Sequence, residues 1–130
     1  MKEYWQNQRI ERQELLNHEL ERIIRVLRQM EAQLVVLFGS VARKDIGAFS
    51  DLDIIVVLDS DLSFIKRLEL LYERIQPRVG LDLLAYTPQE FEEMRERPFV
   101  RQALQEGKVL YENRSARRRR TLASAGAARH

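Results

Sequence analysis

The chain has 130 residues, 45% of them hydrophobic, no cysteine and a formal charge of +2. That suffices for one domain with a real core, and the missing cysteines exclude disulfides, thiolate metal sites and cysteine nucleophiles together. No stretch approaches the roughly 18 consecutive apolar residues of a membrane span, and the polar start "MKEYWQNQRIERQELL" shows no signal peptide, so a cytoplasmic protein away from membranes is expected.

The first element is a helix. Leu16, Leu20, Ile23, Ile24, Leu27 and Met30 follow the i, i+4, i+7, i+8 spacing of one helix face. The pattern reaches back to about Glu3, with Tyr4, Trp5 and Ile10 as earlier apolar points. One helix of about 27 residues would be about 40 Å long, and its first half would then be free to pack on a partner. Two shorter helices fit the pattern equally well. "LVVLF" (34–38) reads as a buried strand ended by Gly39, and 40–45 as one or two helical turns before a loop containing Gly47.

Residues 51–58 are a second strand, followed by a helix in "DSDLSFIKRLELLYERIQP" capped by Ser60 or Asp61 and closed by Pro77. Its expected core face is Phe64, Ile65, Leu68, Leu71, Tyr72 and Ile75. "VGLDLLAY" (79–86) is a third strand. Thr87-Pro88-Gln89-Glu90 is a capping box with proline at the first helical position. A short helix over 99–106, a stop at Gly107 and a strand in "KVLYE" complete a domain over 1–111, which includes the N-terminal helix at 1–30. Residues 112–130 hold six arginines against one acid, a charge of +5, so the chain's +2 minus this +5 leaves −3 on the domain. With almost no large apolar residue, that Arg-rich segment reads as a disordered tail.

The chemistry lies in "LFGSVARKDIGAFSDLDIIVVL" (37–58). On a strand Asp51 and Asp53 share a face with Ile55 and Val57, and Asp82 interrupts another apolar strand. If the two strands are neighbours, three carboxylates meet that cannot all stay ionised unaided. A hard divalent cation such as Mg²⁺ resolves the conflict and leaves positions open for phosphates. Gly39-Ser40, where a strand turns into a helix, offers backbone N–H groups to an anion. Arg43 is either a phosphate contact or one half of an internal ion pair. Ser50 caps the turn before Asp51.

In this order, "GSVARKDIGAFSDLD" resembles the signature of the polymerase β-like nucleotidyltransferase superfamily: Gly-Ser, about ten residues, then Asp-x-Asp. Ala42-Arg43 and Ser50 resemble its minimal members, and Asp82 matches the third carboxylate; Lys44 stands where many relatives have glycine. The resemblance covers about residues 34–97. It implies an α+β, palm-like fold, a small mixed sheet flanked by helices behind a long N-terminal helix. It implies that Asp51, Asp53 and Asp82 hold two Mg²⁺ ions and form the catalytic set, while Gly39 and Ser40, with Arg43, hold the phosphates of a nucleoside triphosphate, ATP by preference. It further implies the antitoxin half of a two-component module, transferring AMP to a tyrosine of a HEPN-type toxin, in a homo- or hetero-oligomer joined through the N-terminal helix.

Two alternatives stay open. One is a non-catalytic antitoxin acting by contact, which the three retained aspartates disfavour. The other is a nucleic-acid-associated role for the arginine run, which the acidic domain disfavours.

Overall fold

The computed structural model describes residues 2–45, 51–113 and 115. The first element is a single helix, α1 (Lys2–Gln29), with no break between its two halves. Only its second half is anchored: Leu16, Glu19, Leu20, Ile23 and Leu27 are buried, whereas Tyr4, Trp5 and Ile10 stand exposed. At 28 residues the helix outruns the sheet it covers.

Four strands follow, β1 (Leu34–Phe38), β2 (Leu52–Val57), β3 (Leu81–Tyr86) and β4 (Lys108–Glu112), in the spatial order β3-β2-β1-β4. β1 pairs antiparallel with β2 and β4, and β2 pairs parallel with β3. A parallel pair needs a crossover, supplied here by α3 (Phe64–Ile75). The remaining helices are α2 (Gly39–Ala42), α4 (Pro88–Met94) and α5 (Pro98–Glu106).

Both faces of the sheet are covered, which is why the inner strands read as unbroken apolar runs. Leu52, Ile54 and Val56 pack with Leu16, Ile23 and Leu27 of α1 and Leu71 and Ile75 of α3. Ile55 and Val57 face the other way, onto Phe91 of α4 and Val100 and Ala103 of α5. Arg22 ties α1 to the end of α3: it pairs with buried Glu19 and donates to the carbonyls of Ile75 (2.6 Å) and Gln76 (3.2 Å). These last-turn carbonyls have no helical N–H of their own.

α3 differs from expectation in two ways. Its cap is Ser63, whose side chain accepts from Lys66 N–H, not Ser60 or Asp61; Ser60 Oγ accepts from Leu62 N–H at 3.1 Å and holds that stretch in a turn outside the helix. Its inward face also carries a charge. Arg67 is 3% exposed, while Phe64 and Ile65 are exposed. The guanidinium tolerates burial because it donates to Ala85 O (2.8 Å), Leu62 O (3.1 Å) and Glu90 Oε1 (2.7 Å), and a buried charge so bonded is not an orphan. Both lie in the first turn, where Phe64 touches only the rim of the core through the Tyr86 ring, centroids 6.3 Å apart, and Ile65 faces solvent.

The capping box at α4 is formed in full, with Glu90 N–H donating to Thr87 Oγ1 and Thr87 N–H to Glu90 Oε1. β4 runs to Glu112, and Asn113 N–H donates to Gln33 O. The rest of the Arg-rich segment, apart from exposed Ser115, lies outside the described residues, as do Gly47 and Ser50. Among the described residues no helix is long and apolar enough to cross a membrane.

Candidate active site

The parallel register of β2 and β3 places Asp53 directly beside Asp82. Both point to the face that carries Ile55 and Val57, at the end of the sheet where the two strands begin. Asp51 precedes β2 rather than lying within it and is exposed, as is Asp82; Asp53 is half-buried. Burial pushes the Asp53 carboxyl above its ordinary value, and Asp82 and Asp51 push it further, Asp82 both as a charge and as a hydrogen-bond partner. Arg43 acts in the opposite direction without reversing the shift. Adjacent in register, the two carboxylates sit where like charges repel each other.

Two glycines make room for these side chains. Gly39 has φ +75°, and a Cβ built there would collide with the Asp53 carboxylate. Gly39, expected to clear space for a phosphate, is thus already needed to clear space for Asp53. Gly80, just before β3, does the same for Asp51: a Cβ there would run into the Asp51 carboxylate. Gly80 was missed from the sequence, although a glycine two residues ahead of Asp82 was a visible signal.

β1 delivers the Gly-Ser turn to the same place, because Phe38 is the register partner of Asp53 and the chain enters α2 at the next residue. Phe38 supplies no side-chain cap to α2, so the first-turn N–H groups have no local side-chain acceptor. Ser40 is half-buried in that turn. Arg43 pairs with Glu106 of α5 at 3.2 Å, the internal ion pair weighed above. Both partners are substantially exposed, so the pair contributes little to stability and leaves the guanidinium free to exchange partners.

The donor set fits a hard divalent cation. It consists of carboxylate oxygens at an open strand edge, and among the described residues none of Asp51, Asp53 or Asp82 forms an ion pair. Arg43 offsets only part of their mutual repulsion, and the raised Asp53 carboxyl records what remains. The site is not a closed cage: among the described residues no three His, Cys, Asp or Glu side chains are arranged to hold a metal, since Asp51 leans over Gly80.

A mixed sheet that sets a Gly-Ser turn over paired aspartates defines a palm-type nucleotidyltransferase fold. The family described as "Polymerase beta, Nucleotidyltransferase" matches residues 21–116, and the chain belongs to it. No curated protein gives a significant match. Among solved structures, a toxin-antitoxin with AMP-PNP contains a chain 26% identical to this one, covering 85% of this chain and 86% of its own, with a TM-score of 0.52. A variant of the MntA-HpeT toxin-antitoxin is similar at 25% identity over 85% of each chain, with a TM-score of 0.51. A candidate nucleotidyltransferase from Sulfolobus solfataricus shares the fold, with a TM-score of 0.60, 21% identity and coverage of 82% of this chain and 89% of its own.

Proposed function

We propose that the protein is a magnesium-dependent nucleotidyltransferase that moves AMP from ATP to a tyrosine hydroxyl on a HEPN-type partner, and so acts as an antitoxin. The observation that carries this reading is the in-register Asp53–Asp82 pair with Asp51 two residues away, none of which forms an ion pair among the described residues. Similarity to a toxin-antitoxin with AMP-PNP supports both the nucleotide and the partner. The exposed Tyr4, Trp5 and Ile10 on the free half of α1 supply an apolar surface for that partner or for a second copy.

Asp51, Asp53 and Asp82 would hold two Mg²⁺ ions. When bound, these supply Lewis acidity to the phosphate oxygens and lower the pKa of an attacking hydroxyl. Gly39, Ser40 and the open N–H groups of α2 take the β- and γ-phosphates, and Arg43 is close enough to add charge once it leaves Glu106. Asp82 orients the acceptor hydroxyl and takes its proton. The hydroxyl oxygen bonds to the α-phosphorus as the bond from that phosphorus to the bridging oxygen breaks, and pyrophosphate leaves. Holding acceptor and nucleotide in line supplies much of the acceleration in such transfers.

Calorimetric titration of Mg²⁺-ATP into the wild type and an Asp51→Asn, Asp53→Asn double variant tests the site. Magnesium-dependent binding that the variant loses is the expected result, followed by transfer of label from α-labelled ATP to a co-purified partner. Absence of nucleotide binding by the folded wild type, alone and with its partner, would leave an antitoxin acting by contact through α1.

A further inference from the structure

Phe99 is the second residue of α5 and is 64% exposed, although the residues after it, Val100 and Ala103, are buried in the core. Its ring stands edge-to-face against Phe38, with centroids 6.0 Å apart. Phe38 is 9% exposed and is the register partner of Asp53. Side chains directly opposite each other on an antiparallel pair share a face, with Cβ atoms about 4.5–5.5 Å apart. The open ring of Phe99 therefore stands on the same sheet face as the Asp53–Asp82 pair, linked to it through Phe38, which touches Phe99 and is the register partner of Asp53.

We propose that Phe99, backed by Phe38, is the platform on which the base of the nucleoside triphosphate stacks. This rests on the reading of the carboxylates as the metal-triphosphate site. Three observations converge on the assignment. The ring is one side chain removed from the carboxylates. Its orientation is set by the contact with Phe38, so little order has to be gained on binding. It is also an apolar surface left in water on the sheet face that carries the carboxylates, so covering it with a base is favourable twice over, by burial and by stacking. Stacking reads the π-face and not the hydrogen-bonding edge. The platform thus selects purines over pyrimidines by surface area and separates ATP from GTP only weakly.

The test compares Mg²⁺-ATP with Mg²⁺-tripolyphosphate, which carries the phosphates without a base, on the full chain. Phe99→Ala should weaken ATP binding about 5- to 150-fold, the range that loss of one base-aromatic stack produces, and leave tripolyphosphate affinity unchanged. Phe99→Tyr should retain wild-type affinity. In a Trp5→Phe, Phe99→Trp variant, ATP should quench the indole emission and tripolyphosphate should not. Because Phe99 is exposed, circular dichroism should show the alanine variant folded. Equal ATP affinity in wild type and Phe99→Ala overturns the platform while tripolyphosphate binding keeps the carboxylate site. An equal loss of both ligands overturns it as well, pointing to a general disturbance of the site. Failure of the wild type to bind either ligand removes both readings. Loss of a partner protein by Phe99→Ala with ATP affinity intact overturns the platform in favour of a docking residue.

Discussion

Replacing Gly39 with alanine probes the contact around which the site is built. Two costs separate cleanly. The backbone sits at φ +75°, where a side chain costs an L-residue about 1–2 kcal/mol whatever surrounds it. The new methyl would also strike the Asp53 carboxylate, with Cγ at 2.9 Å and Cβ at 3.2 Å. The carboxylate must swing away from Gly39, and forced repacking of this kind costs about 1–3 kcal/mol more. Gly39→Ala should therefore destabilise the protein by about 2–5 kcal/mol. In an Asp53→Ala background the oxygens and Cγ are gone and only Cβ remains, at 3.2 Å; the cost should fall back towards the backbone share of about 1–2 kcal/mol. The double-mutant cycle then yields a coupling of about 1–3 kcal/mol. Any effect of alanine on the unfolded chain is common to both backgrounds and cancels. Urea unfolding of the four proteins followed by far-UV circular dichroism, with m unchanged across the set, gives the number. A coupling below about 0.5 kcal/mol would refute the placement of Asp53 over Gly39, and with it the account of why the turn needs glycine.

Asp53→Asn removes a charge that faces Asp82 and Asp51. Thermal melts should show the metal-free variant more stable than wild type at pH 7 and unresponsive to Mg²⁺; a destabilised variant would contradict the crowding of charge. Gly80→Ala should displace Asp51 and weaken Mg²⁺-nucleotide binding in calorimetry with a much smaller change in the urea midpoint, because Gly80 is exposed and the nearest atoms a methyl would meet are those of that exposed carboxylate. Arg67→Ala strips the donor from the carbonyls of Ala85 and Leu62, and should cost about 2–4 kcal/mol in urea unfolding. Arg43→Ala, at a half-exposed ion pair, should cost far less, and equal costs would refute the distinction by burial. Glu90 is held below its ordinary value of 4.5: burial works against this, but Thr87 N–H and Arg67 outweigh it. A depressed carboxyl contributes stability above its unfolded value and loses it as pH falls through the lower folded value. The advantage of wild type over Glu90→Gln, read from urea midpoints, should therefore shrink steadily below pH 4.5.

By itself the sequence determined the elements and the chemistry's raw materials. Alternating and helical periodicities record which residues avoid water, a local property. Apolar runs located the strand before the Gly-Ser turn, the strand that follows the Asp-x-Asp and the third strand with Asp82, helical spacing located the inner face of α1, and a local motif located the Thr87 capping box. The order and spacing of the Gly-Ser turn and the aspartates carried the resemblance that joined them. Tertiary structure decided what depends on partners distant in the chain. The parallel register that seats Asp53 against Asp82 was conditional on β2 and β3 being neighbours, and no local pattern states that. The burial of Arg67 left no mark in the expected core face of α3, because its compensation comes from Glu90 and two carbonyls on other segments. Phe64 and Ile65 look like core because periodicity cannot show how far the core extends over the first turn of α3, where Phe64 meets only the Tyr86 ring and Ile65 meets solvent. Gly80 beneath Asp51, and Phe99 against Phe38, are contacts between elements. Hydrophobic pattern belongs to each segment of the chain, but proximity, and the burial that depends on it, is created only when the sheet assembles.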